Sequence, residues 1–356
     1  MIISWALMTY TALLVCEINL ALEDGNSFAG MAKKLLGSYG QIIVWITFLL
    51  LLYMIIVAYI SAAGSAINSI STINQHLSIT LFVLLFGILV VIGITAVDWV
   101  NRFLLTIKLA LLSFVCFILI SKINPLHLTT SFINGIAVFS ALPVFVTSFT
   151  SHLIIPPLRT YLRSDAKVMA RVFIIGSIIP LILYLLWVGG IIGLIPFTGE
   201  NSFTLIFAKG SKANIGDILN LVKANLDNKI IYALISSFSN ISVATSFLGV
   251  SLALFHFIID GFKLNKLSII NKNVIAFLFT FGIPLLIIYF FPDIFIKALG
   301  YVGMCCSILL IIIPFFMIRK LKLQGHVFKI KYINNNIMLY LSLILGVTVI
   351  IIQLFL

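Results

Sequence analysis

The sequence predicts an all-α, polytopic membrane protein, ten helices threaded through a lipid bilayer with one of them broken, and three observations carry that prediction. Of 356 residues, 62% are hydrophobic and 9% are charged, with a mean hydropathy of +1.25. A water-soluble domain carries roughly 25% charged residues, so this composition lacks the surface a soluble fold needs. Apolar runs of about 20 residues, the length that spans the hydrocarbon core as a helix, recur along the whole chain. Basic residues are divided unequally between alternating loops. The formal net charge of +12 is therefore a matter of topology and leaflet electrostatics rather than a nucleic-acid-binding face.

Taken in order, the expected spans are 2–22, 41–62, 79–97, 103–120, 135–158, 168–191, 230–259, 274–291, 294–318 and 336–356. One set of alternating loops holds Lys33, Lys34, Arg102, Arg159, Arg163, Lys167, Arg171, Lys263, Lys266, Lys272, Arg319, Lys320, Lys322, Lys329 and Lys331. The other holds Lys122, Lys209, Lys212, Lys223, Lys229 and Lys297, and Lys108 alone falls well within a span, Arg171 and Lys297 standing in the first four residues of theirs. Fifteen against six places the first set in the cytoplasm. The four cysteines, Cys16, Cys116, Cys305 and Cys306, sit in apolar runs as small hydrophobes, with no metal-ligand spacing, and no cofactor motif is present. The first residues carry no basic region of a secretory signal. With a cytoplasmic loop after the first span, both termini fall outside, and the expectation is that a helix upstream of Met1 is missing.

The most informative stretch is GIAVFSALPVFVTSFTSHLIIPPL, residues 135–158. Pro143, Pro156 and Pro157 remove the donors that Phe139, His152 and Leu153 carbonyls would receive in a helix. Between the prolines lie Thr147, Ser148, Phe149, Thr150, Ser151 and His152. Unpaired backbone at membrane depth is tolerated only where protein or a wet cavity surrounds it. The segment is therefore expected to be a broken helix whose half-helix ends face the charged groups of a zwitterion. The plain alternative is a proline kink whose hydroxyls bond back to their own helix. If the broken helix opens the second of two inverted repeats, that repeat has five helices over 134–318, the first repeat keeps four over 1–121, and 319–356 is a cytoplasmic loop and an accessory last helix. The first repeat is then short by the same absent helix.

Other polar residues inside spans supply further candidates. Tyr59, in YISAAGSAINS, either offers its ring and hydroxyl to an aromatic substrate or belongs to the interfacial aromatic belt. The span IIYALISSFSNISVATSFLGVSLALFHFIID places Asn240, Thr245, Ser246 and Asp260 as substrate or ion-coupling candidates, against the alternative of close helix packing through small residues. Glu17 is either a functional intramembrane carboxylate or an interfacial one reaching water beside Glu23 and Asp24. His152 is either a titrating ion-coupling group or a permanently neutral, hydrogen-bonded histidine. The long external stretch 196–228 contains DILNLVKANL, read as a short amphipathic helix over the entrance.

The segments WALMTYTALLVCE, LYMIIVAYISAAGSA, RVFIIGSIIPLILYLLW, FSNISVATSFLGVSLALF and ALGYVGMCCSILLIIIP resemble successive helices of the bacterial aromatic amino acid permeases, the tyrosine- and tryptophan-specific transporters. The resemblance runs nearly the whole length, and ATSFLG at 244–249 is its most specific part. It implies eleven helices in a leucine-transporter-like five-plus-five inverted-repeat fold, the first being absent here, and proton symport of an aromatic amino acid across the inner membrane. The broken helix of such permeases reads TSFGFHGSVPS-like. Here it reads TSFTSHLIIPP, matching at Thr147, Ser148, Phe149, His152 and Pro156, with Thr150 and Leu153 in place of glycines. These implications make the substrate set Thr147, Ser148, Phe149, Thr150, Ser151, His152, Tyr59 and Asn240, and the coupling set Glu17, His152, Thr245, Ser246 and Asp260. Other readings are transport of another amino acid with sodium coupling, or a non-transporting remnant. No HExxH, paired-aspartate or Ser/His/Asp set suggests an enzyme, and no filter motif suggests a channel. With its first helix absent, the chain as given is expected not to transport. The expected partners are the lipid bilayer, an aromatic amino acid and protons; nothing in the sequence sets an oligomeric state.

Overall fold

The computed structural model describes residues 1–22, 26–70, 74–129, 139–226 and 228–355. Among the described residues there is no strand. That follows from the solvent: hydrocarbon offers backbone amides no partners, so each crossing segment must satisfy its own, and a helix does this within one segment. Nine helices among the described residues are long and apolar enough to cross a membrane. They are α1 (Ile2–Ala21), α2 (Phe28–Ile70), α3 (Gln75–Ile92), α4 (Ile94–Ser121), α8 (Ala166–Leu194), α11 (Lys229–Gly261), α12 (Ile269–Phe290), α13 (Phe295–Leu323) and α14 (Asn336–Phe355). Shorter helices stand between them: α5 (Pro125–Thr129), α6 (Leu142–Thr147), α7 (Ile155–Tyr161), α9 (Thr204–Lys209) and α10 (Ile215–Asn225).

Nine of the ten expected spans are thus continuous helices. The tenth, expected over 135–158, is the pair α6 and α7, with residues 135–138 outside the described part. Glu23 and Asp24, invoked beside Glu17, also lie outside it. The second span begins earlier than expected because a short helical piece precedes it, joined through Gly37 at φ 79°. Only glycine takes that backbone conformation without strain.

Helix starts are secured by side chains. Asn74 accepts from His76 N at 3.0 Å, and Asn228 accepts from Ile230 N and Ile231 N at 2.9 and 3.2 Å. At α10, Asn214 accepts from Asp217 N while Asp217 accepts from Asn214 N, which satisfies two orphan donors at once. Prolines act according to context. Pro180 sits inside α8 without ending it. Pro284 and Pro314 each follow a π-helical stretch, Leu278–Gly282 and Ile308–Ile312, where the chain widens to clear the proline ring.

The chain divides into two compact units. The first comprises Met1–Leu51, Ile133–Tyr184 and Gly300–Leu356. Its interior helix is α1, buried over most of its length and packed against α6, α7, α14 and the Ile308–Leu323 part of α13. Within it, a Cβ on Gly303 would lie 2.6 Å from the Pro143 carbonyl oxygen, so α13 passes α6 at backbone distance. The second unit comprises Leu52–Phe132 and Leu185–Leu299, and here α11 is the central helix, packed most extensively on α4 and also on α3, α10 and α12. The expected amphipathic helix of the external stretch is α10. Leu219, Leu221 and Val222 insert it into a core with Ala66, Val115, Leu119, Ile191 and Ile235. The four cysteines are free and buried.

Candidate functional site

The interrupted segment is built by its prolines. Pro143 and Pro156 occupy the first turns of α6 and α7. A proline fits there because its missing N–H is one a helix start leaves unpaired anyway. The prolines therefore begin the two half-helices, and the non-helical stretch falls between them at Ser148–Ser151, followed by a 3-10 turn over His152–Ile154. The sequence expected the His152 carbonyl to be freed. In the structure it accepts Ile155 N–H, because the 3-10 turn supplies a donor one residue closer than an α-helix would.

The hydroxyls of the break close back on their own turn. Val144 O accepts from Thr147 Oγ1 at 2.7 Å, Ser148 Oγ at 2.9 Å and Ser148 N at 3.1 Å, and Thr150 Oγ1 donates to Thr147 O at 3.0 Å. These bonds cap the end of α6. Thr150 and Ser151 are exposed and Thr147 and Ser148 half-buried. Phe149 is buried, its ring edge-on to Tyr184 with centroids 5.8 Å apart. His152 is fully buried, with Nε2 2.9 Å from Thr11 Oγ1 of α1.

Two further ties fasten the C-terminal end of α1 in the same unit. Arg159, buried at the end of α7, donates to the Asn19 and Leu22 carbonyls at the α1 C-terminus and to Ser164 Oγ at 3.0 Å. Glu17 does not reach water as one sequence reading supposed. It is fully buried, accepts Lys329 N and Ile330 N at 2.9 Å each, and lies 3.4 Å from His326 Nε2. The loop after α13 folds over the carboxylate and supplies the donors that water would.

The second unit holds the remaining candidates. Tyr59 is half-buried on α2. Asn240 Nδ2 donates to Ser236 O at 3.0 Å within α11. Thr245 is buried, gives its proton to Ser242 O at 3.1 Å, and accepts Lys108 Nζ of α4 at 3.3 Å. Ser246, one residue on, is half-buried, and Asp260 is exposed at the end of α11. At 1.5 Å per residue, Asp260 lies about 22 Å along the helix from Thr245, so the two do not share a site. Lys108 and Thr11 were missed as site residues. The first had a signal, being the only basic residue more than four residues inside an expected span; Thr11 looked like any hydroxyl on a buried helix.

Nine membrane-length helices among the described residues, with one interrupted segment and a buried histidine at the interruption, describe a multi-pass membrane protein of the transporter class rather than an enzyme. The sequence profile of the tryptophan/tyrosine permease family matches residues 1–353, and the chain belongs to that family. It is 31% identical over 350 residues to the tyrosine-specific transport system 1 of Haemophilus influenzae, covering 97% of this chain and 85% of that one. It is 32% identical over 369 residues to the low affinity tryptophan permease of Escherichia coli strain K12, covering 98% and 86%. A third relative, glutamine transporter 2 of Aliivibrio fischeri, is 31% identical over 360 residues, covering 98% and 87%.

Proposed function

We propose that the protein is a secondary active transporter that imports an aromatic amino acid, tyrosine or tryptophan, by proton symport across the inner membrane. The observation that carries this reading is the interrupted segment 142–161, two proline-started half-helices around non-helical backbone. In the leucine-transporter-like arrangement it opens the second of two inverted repeats, and substrate binds at the break. The neighbouring rings of Phe149 and Tyr184 suit an aromatic side chain. Thr147, Ser148, Thr150 and Ser151 line the stretch that would meet the amino and carboxylate groups.

Proton coupling draws support from Lys108. An ammonium at membrane depth is costly and is functional by default. Among the described residues its hydrogen-bond partner is the Thr245 hydroxyl, with no carboxylate paired to it. A group held so loosely in its charged form is suited to releasing and regaining a proton as the site opens to either side. Glu17, held by two backbone amides, suits that task less well.

The test is uptake of labelled tyrosine into proteoliposomes under an imposed pH gradient. Saturable uptake driven by the proton gradient and indifferent to sodium is expected, in place of the inactivity expected from the sequence, with Lys108→Gln abolishing accumulation while leaving exchange of preloaded tyrosine. Uptake that follows a sodium gradient, or that fails to saturate, overturns the reading. Import of glutamine is a second reading, favoured by the relative of that name; competition by glutamine in the same assay separates the two.

A further inference from the structure

We propose that His152, held in a single tautomer by Thr11, is the acceptor for the side-chain hydrogen-bond donor of the transported amino acid and so sets its selectivity. The proposal rests on the reading of the protein as an amino-acid transporter and deepens it. A threonine hydroxyl has one proton to give. Thr11 spends it on Met8 O, 3.0 Å away, so toward His152 Nε2 at 2.9 Å it is the acceptor. Nε2 therefore carries the ring hydrogen and Nδ1 presents a bare lone pair. That lone pair is buried, and among the described residues it has no hydrogen-bond partner. An unpaired acceptor in a water-poor interior is costly, and a site that leaves one is poised for a donor it does not itself contain.

The position says which donor. His152 follows Phe149 by three residues on the same interrupted stretch, and Phe149 pairs with the Tyr184 ring against which an aromatic side chain would lie. Thr11 is well anchored for a positioning role: Trp5 Nε1 and Thr9 Oγ1, on the same helix, both bond Ser177 Oγ of α8, at 3.0 and 3.1 Å. Tyrosine offers a phenol O–H, tryptophan an indole N–H and glutamine an amide N–H. Phenylalanine offers none and would leave Nδ1 unpaired, the situation in which discrimination against an analogue is largest.

The full chain, purified and labelled with 15N-histidine, reports the tautomer directly. The His152 signals, assigned by their loss in His152→Asn, are expected to show a pyridine-like Nδ1 that shifts on adding tyrosine and not on adding phenylalanine. A protonated Nδ1 in the ligand-free protein overturns the tautomer assignment whether or not anything binds. In competition against labelled tyrosine, phenylalanine and O-methyltyrosine are expected to bind about 10- to 100-fold more weakly than tyrosine, the cost of one buried acceptor left unpaired. His152→Asn keeps an acceptor where Nδ1 stood and should retain that preference; His152→Gln keeps only the donor to Thr11 and should lose it. Thr11→Val should lower the preference and Thr11→Ser restore it. Selectivity surviving in His152→Gln, or equal binding of tyrosine and phenylalanine by the unchanged protein, overturns the acceptor role while leaving the transporter reading standing. Absence of binding by any amino acid overturns both, and the nitrogen signals still decide the part played by Thr11.

Discussion

The interrupted segment and α11 carry the same kinds of side chain to opposite outcomes. One has Thr147, Ser148, Thr150 and Ser151 and comes apart into two half-helices; the other has Ser236, Ser239, Asn240, Ser242, Thr245 and Ser246 and runs unbroken from Lys229 to Gly261. In both, polar side chains return to carbonyls three or four residues earlier, as Ser148 does to Val144 O and Asn240 to Ser236 O. Polar content alone therefore does not break a membrane helix, since such bonds bend a helix slightly without removing its backbone donors. Proline placement does. α11 has no proline, and α8 absorbs its single Pro180. The interrupted segment has prolines at two helix starts, so each half begins afresh and the residues between belong to neither.

The contrast is broken most severely by removing the second start. In Pro156→Ala/Pro157→Ala, the lower half-helix is expected to grow upward through the break, and tyrosine uptake by proteoliposomes to fall about 100-fold, the scale on which small misplacements of a site act. Pro180→Ala in α8 should leave uptake within about threefold, since nothing is started there. Normal uptake by the double variant would remove the break from the mechanism.

A smaller effect sharpens the difference between carboxylates held by backbone and those left to solvent. Glu17→Gln turns a donor toward one of the two amides it now accepts, and should cost about 2–4 kcal/mol, read as a lower melting temperature in detergent. Asp260→Asn, exposed at the end of α11, should stay within about 0.5 kcal/mol. The smallest effect concerns α10. Asn214→Ala removes its capping box and should weaken the helix by about 1 kcal/mol, seen as faster amide exchange over 215–225 with unchanged exchange in α11.

Much of this was legible because hydrocarbon imposes a simple rule. Apolar run length located nine crossings, and the three prolines around TSFTSH located the break. The run DILNLVKANL located α10, though its capping residue Asn214 was not read from the sequence. Less legible were the roles of individual polar atoms. Thr147, Ser148 and Thr150 could be read as free ligands or as hydroxyls bonding back to their own helix, and their bonds do close inside one turn, a choice of local geometry that residue type alone does not make. The π-helical stretches before Pro284 and Pro314 were not foreseen either, since a proline in an apolar run is equally compatible with a kink.

What the sequence by itself determined is the solvent, the all-helical class, the crossings and the place of the interruption, because each depends on composition and on bonds between residues a few positions apart. What only the tertiary structure decided is who meets whom across the chain: Thr11 with His152, Glu17 with the amides of Lys329 and Ile330, and Lys108 with Thr245. Those pairings join residues 141, 312, 313 and 137 positions apart. No periodicity or motif records such separations; the packing of one helix on another creates them.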